Sequence, residues 1–195
     1  MRKIKTVFDM QYDSHHNITM GDIRPECAWV FNEPGVIATI KFDGTATAII
    51  DGQFFTRFDA KPGRNIPADA VPCQPDPDPI TGHWPHWVPV TDEPKFKWFN
   101  AAFKNSNGDS LPDGTFEAIG PHFMGNPYHL DHDKLVAHGS VVVDDLPEKL
   151  SKATLFDFFV SHPNMEGLVF YGTDNKRAKL RMKDFKLPWN NHGHR

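Results

Sequence analysis

The chain has 195 residues, a length that one domain fills, and its 39% hydrophobic content, with 16 Phe and 5 Trp, supplies a sizeable core. A formal net charge of -4 excludes a protein that holds nucleic acid through bulk positive charge, so any phosphate contact must come from local Lys and Arg clusters. Cys27 and Cys73 are too few for a disulfide framework and lack metal-ligand spacing, so neither is expected to be functional. The basic start (Arg2, Lys3, Lys5) runs straight into Asp9, Asp13 and His15-His16, and no later run approaches membrane length. A soluble, cytoplasmic protein is expected.

Three short strands open the pattern: residues 36–40, 45–50 and 53–58, rich in β-branched and aromatic side chains and broken by Asp43-Gly44 and Asp51-Gly52. Asp51-Gly52 suits a two-residue hairpin turn, whose central residues both need positive φ. Read as a meander, these strands leave Lys41 at a strand end, where its side chain can meet a ligand.

Residues 61–94 carry nine prolines, which remove backbone donors and argue against a regular element; Trp84 and Trp87 make the segment an ordered flap rather than a linker. Residues 93–104 predict a short helix with Pro94 in its first turn, Phe96, Phe99 and Phe103 on one face, and Lys95, Lys97 and Lys104 solvated. A second helix over 147–160 is expected to bury Leu150, Leu155, Phe158 and Phe159, with further strands at 140–143, 166–171 and 178–183. Strands joined mostly by hairpins, with helices between, give an α+β core of antiparallel sheets.

The chemistry-bearing residues fall in a recognisable order: Lys41-Phe42-Asp43-Gly44, Thr56-Arg57, Phe116-Glu117-Ala118-Ile119-Gly120, Glu166-Gly167-Leu168-Val169-Phe170, and Lys179-Leu180-Arg181-Met182-Lys183-Asp184-Phe185. In this order the chain resembles the covalent nucleotidyltransferase superfamily of ATP-dependent DNA ligases, RNA ligases and mRNA capping enzymes. The segments Gly120-Pro121-His122-Phe123-Met124-Gly125-Asn126-Pro127-Tyr128, His138-Gly139-Ser140 and the Pro-rich stretch from Pro75 to Pro85 narrow the resemblance to the RNA ligase 1-like group. The resemblance implies the adenylylation-domain fold, an ATP-grasp-like nucleotidyltransferase core of packed antiparallel sheets flanked by helices. It also implies ATP as substrate and Mg²⁺ or Mn²⁺ as metal.

By that resemblance Lys41 is the nucleophile, and Ile40, Gly44, Arg57, Glu117, Glu166, Lys179 and Arg181 bind the nucleotide. Glu166 is expected to support both the metal and the lysine, Glu117 to hydrogen-bond the ribose, Arg57 to contact the nucleotide or its phosphates, and Lys179 to act in catalysis. The nucleophile must be neutral, yet with a reference pKa near 10.4 only about one lysine in two thousand is neutral at pH 7, so nearby cations or a metal must lower it. A strand through Lys179, Arg181 and Lys183 would put three cations on one face. Both Lys179/Arg181 and Arg181/Lys183 fit the family's basic pair, and Phe185 favours the first. Glu166, opening an apolar strand, is a costly carboxylate unless it meets a cation.

The chain departs from the family where Thr45, Ala46, Thr47 and Ala48 follow Asp43-Gly44, since many ligases place an arginine there; Lys61 or Arg64 can substitute. The loop of His129, Asp131, His132 and Asp133, and the pair His83 and His86, invite a metal-site reading, but solvated or capping roles fit them better. His138 has no assigned role, and His192 and His194 fall in a tail expected to fray.

With ten residues after Phe185, one nucleotidyltransferase domain without an appended oligonucleotide-binding domain is expected. The expected activity is a minimal RNA ligase acting on RNA 5′-phosphate and 3′-hydroxyl ends. A GMP-transferring capping-type enzyme, a protein AMPylating enzyme or a silent nucleotide- or RNA-binding module are the alternatives.

Overall fold

The computed structural model describes residues 3–12 and 18–189; Arg2, Asp13, His15, His16, His192 and His194 lie outside them. In chain order the elements are β1 (Lys5–Thr6), β2 (Phe8–Tyr12), β3 (Ile18–Ile23), α1 (Trp29–Asn32), β4 (Ile37–Lys41), β5 (Thr45–Ile50) and β6 (Gln53–Ala60). There follow β7 (Val71–Pro72), β8 (Trp84–Pro89), α2 (Lys97–Asn105), β9 (Gly114–Ile119), β10 (Lys134–Ala137), α3 (Lys152–Ser161), β11 (Gly167–Tyr171) and β12 (Arg177–Arg181). The class is α+β, with few helices and mostly antiparallel sheets; β1 beside β12 is the parallel pair among the described strands. No helix among the described residues is long and apolar enough to cross a membrane.

The chain divides into two compact units, one built from Asp43–His138 with Lys3, the other from Ile4–Phe42 and the chain from Gly139 onward. The first holds a six-stranded sheet ordered β10-β9-β5-β6-β8-β7. One face carries Ile49, Phe54, Phe116 and Ala118, covered by Phe99 and Phe103 of α2; the other carries Ala46, Ala48, Phe55 and Trp87. At the β5–β6 turn Asp51 and Gly52 have φ of 50° and 72°, as the sequence requires, and the Asp113 carboxylate accepts from both turn N–H groups at 2.7 and 3.0 Å.

The prolines do not prevent a strand at β8, contrary to expectation. Pro85 faces its carbonyl toward Cys73 on the β7 side, and Pro89 shares its parity, so their missing N–H groups lie away from the β6 ladder, which runs unbroken from Phe55↔Pro89 to Ala60↔Trp84. The tryptophans do anchor the segment: Trp87 is buried, and Trp84 Nε1 donates to the Gln74 carbonyl at 2.8 Å.

The second unit carries a four-stranded sheet, β1-β12-β11-β4, and the ribbon β2-β3. Its core gathers Val7, Phe8, Trp29, Val30, Leu155, Phe159, Leu168, Phe170 and Leu180. Phe185 packs its ring against Phe8, Phe156 and Phe159, so the aromatic that closes the last motif is part of this core.

Four further expectations are corrected. The predicted meander does not form, because β4 pairs with β11 whereas β5 pairs with β6 and β9 in the other sheet; Asp43-Gly44 is a crossing between sheets, not a hairpin. The second helix starts at Lys152, not 147, because Ser151 and Thr154 form a reciprocal capping box there. Residues 140–143 make one bridge, Thr39↔Val142, rather than a strand. The last strand stops at Arg181, and Met182–Phe185 turn into a 3₁₀ helix, which takes Lys183 off the strand face.

Candidate active site

In the second unit, cross-strand register fixes which side chains share a face. Lys41 stands opposite Gly167, and Gly167 opposite Arg181; one pleat along, Thr39, Val169 and Lys179 are aligned. Lys41, Lys179 and Arg181 therefore project from one face, while Ile40, Leu168 and Leu180 turn to the core on the other. Ile40 can thus offer a ligand only its backbone, and its N–H is already given to the Val141 carbonyl at 2.9 Å. Gly167 keeps the row close, since a Cβ there would press on the Leu180 carbonyl and lie 3.0 Å from Arg181 Cα.

Glu166 precedes β11 and is 5% exposed. The cation its burial demands is Lys41, whose Nζ lies 2.8 Å from Glu166 Oε2. Arg181 is held by Asp184, a buried residue that sequence reasoning passed over: the carboxylate accepts from the Arg181 backbone N–H at 2.9 Å, from Nε at 3.2 Å and from a terminal nitrogen at 2.7 Å. Its signal was the i,i+3 spacing at a strand end. The fork fixes the guanidinium in one orientation. Lys183, exposed on the 3₁₀ turn, is not part of the constellation, so two strand cations rather than three line this face with Lys41.

Lys179 has its ammonium pulled down from 10.5 to about 8, first by burial, then by the charges of Arg181 and Lys41, against the opposing pull of Glu166 and Asp184. A lysine whose folded value lies below its unfolded value destabilises the fold fully below about 8, and that penalty fades as pH rises to about 10.5. Lys179→Met is therefore expected to be more stable than wild type at neutral pH, with the advantage shrinking as pH climbs through that window. Urea denaturation of both proteins across a pH series checks this, and a constant advantage would contradict it.

In the first unit, Gly44 lies where the chain enters β5. A Cβ there would collide with the Ala118 carbonyl oxygen and come within 2.8 and 2.9 Å of Ile119 and Glu117 side-chain carbons, so glycine is required by close backbone approach rather than by a turn. Gly44→Ala is expected to cost about 1–3 kcal/mol, as overpacking does. An unchanged thermal midpoint would show that β9 yields without strain. The neighbouring Asp43 N–H donates to the Tyr128 hydroxyl at 2.6 Å, so the segment ending in Tyr128 folds back onto the Asp43-Gly44 crossing.

Ala46 opposes Glu117, and Thr47 opposes Thr56, so continuing the register by one residue brings Arg57 level with Ala46. Glu117, Ala46 and Arg57 thus share one sheet face, with Glu117 and Arg57 roughly 10 Å apart across two strand spacings and only a methyl group between them. Arg57 also lines a small cavity with Lys3, Asp59, Asp78 and His83. Lys61 and Arg64 lie exposed in the loop after β6. Glu117 has a partner that the sequence left without a role: His138 Nε2 lies 2.8 Å from Glu117 Oε2.

In the histidine loop His129, Asp131 and His132 are exposed, as expected, and Asp133 takes the capping role. Asp133 is buried, its carboxylate accepting from the His122 backbone N–H at 3.1 Å and pairing with His122 Nδ1 at 2.8 Å, while the His122 ring stacks on Trp98. His129, Asp131 and His132 are not drawn to it, His83 pairs with Asp59, and His86 Nδ1 meets the Trp84 carbonyl. Among the described residues, no three His, Cys, Asp or Glu side chains converge to hold a metal. Among the described residues neither cysteine is in a disulfide, and burial pushes the pKa of both thiols up, away from the reactive thiolate.

Compared with known proteins, the chain matches no family model, and no curated protein matches it.

Proposed function

We propose that the chain is an ATP-dependent RNA ligase that stores AMP on Lys41 as a lysyl phosphoramide, passes it to an RNA 5′-phosphate and seals that end to an RNA 3′-hydroxyl. The reading rests above all on Lys41 at a strand end, 2.8 Å from the buried Glu166, with Lys179 and Arg181 on the same sheet face. The motif order along the sequence supplies the reaction class.

In the first step the Lys41 nitrogen lone pair forms an N–P bond to the α-phosphorus as the bond to pyrophosphate breaks. The proton that leaves nitrogen goes to Glu166 or to water. Lys179 and Arg181 would meet the phosphate charge, the second as a pre-oriented fork; by the resemblance alone, Glu117, Arg57 and the backbone at Ile40 and Gly44 are assigned to the rest of the nucleotide. Catalysis of this kind is positioning and charge stabilisation.

A Mg²⁺ or Mn²⁺ ion fits the donor set, because a single hard carboxylate suits an ion held mainly by phosphate oxygens and water. Glu166 would hold it, and the bound ion shields the triphosphate charge.

Sealing assays on matched all-RNA and all-DNA strands carrying 5′-phosphate and 3′-hydroxyl ends test the substrate. RNA is expected to be sealed in preference, with sealing falling as salt rises. Equal or better sealing of DNA would overturn the RNA assignment. AMP-labelled protein that seals neither would point to transfer onto another acceptor.

A further inference from the structure

His138 stands one residue past β10, where its backbone N–H still donates to the Thr115 carbonyl at 3.0 Å. Val136 opposes Glu117, so strand alternation puts His138 on the same face as Glu117, at the diagonal position that a long side chain can reach. The Nε2–Oε2 distance is 2.8 Å, with the two side chains 25% and 12% exposed. A carboxylate accepts only, so Nε2 carries the proton. The other ring nitrogen, Nδ1, is buried without a hydrogen-bond partner. The imidazole therefore makes a single directed side-chain contact, and it is spent on Glu117.

Glu117 needs that contact. Its stem runs beside Gly44, where an added Cβ would come within 2.9 Å of Glu117 Cγ, but Ala46 across the strand pair is too small to fix the head group. Without His138 the carboxylate loses the 2.8 Å hydrogen bond that orients it.

We propose that His138 is a positioning residue: its Nε2–H holds one Glu117 oxygen so that the other faces the nucleotide sugar, and it thereby sets both ATP affinity and the preference for ribo- over deoxyribonucleotide. The inference rests on the nucleotidyltransferase reading, in which Glu117 accepts from a sugar hydroxyl. His138 itself touches no reacting atom.

The test is the concentration dependence of self-adenylylation with ATP, 2′-deoxyATP and 3′-deoxyATP. Wild type should show a raised KM for at least one deoxy analogue. His138→Ala should raise the KM for ATP about tenfold, the scale of losing a hydrogen bond to a charged group, while the maximal rate stays close to wild type and the deoxy-to-ATP ratio shrinks toward one. His138→Gln, whose amide N–H can reach Glu117, should restore both values; it also carries the test if His138→Ala fails to fold, since a folded His138→Gln that loses the ratio contradicts the proposal. An unchanged ratio in His138→Ala, or equal KM increases for all three nucleotides, overturns it. A wild-type protein that takes no label removes the ligase reading and this inference together, whereas labelling with an unchanged ratio removes only the role of His138.

Discussion

Lys41→Arg is expected to fold normally and to accept no AMP. Arginine keeps a cation beside Glu166, so the ion pair with the buried carboxylate is retained, but a guanidinium stays protonated and offers no nucleophilic lone pair. Lys41→Ala should be equally inactive yet less stable, because the buried Glu166 carboxylate loses its ion pair with Lys41. The two variants together separate chemistry from folding. Labelling that survives in folded Lys41→Arg would move the nucleophile elsewhere.

Glu166→Gln is expected to slow adenylylation by about a hundredfold or more, the usual consequence of removing one preorganised group that stabilises developing charge. Gln preserves the shape of a site that is 5% exposed, so packing is retained while the charge that pairs with Lys41 and would hold a metal is lost. The defect should be partly relieved by raising Mg²⁺ or Mn²⁺. Wild-type rates across a metal titration would assign Glu166 to structure alone.

Much of the candidate site was legible because it lies on regular strands. Period-two alternation from Lys179 to Arg181, and the demand of a buried Glu166 for a cation, both follow from residue type and spacing and hold in the structure. Lys183 was misread because a strand's end is set by tertiary context: Asp184 captures the Arg181 backbone N–H and side chain and bends the chain into a 3₁₀ turn.

The meander failed for a related reason. Hairpin signals report that a chain turns, not which sheet receives it, and Asp43-Gly44 serves an approach to β9 rather than a turn. β9 and β10 went unassigned as strands although the first carries Glu117, since Phe116-Glu117-Ala118-Ile119 is too short and apolar for clear periodicity. The long-range partners of Glu117 and Asp43, His138 and Tyr128, lie 21 and 85 residues away, and no local pattern pairs them.

The most direct measurement is incubation of the wild-type protein with α-labelled ATP and Mg²⁺, followed by proteolysis and mass spectrometry of the labelled peptide. AMP should be found on Lys41, retained through denaturation and released by acid as a phosphoramide is. AMP mapped to another residue, or a protein that binds no nucleotide covalently under these conditions, would contradict the assignment of Lys41.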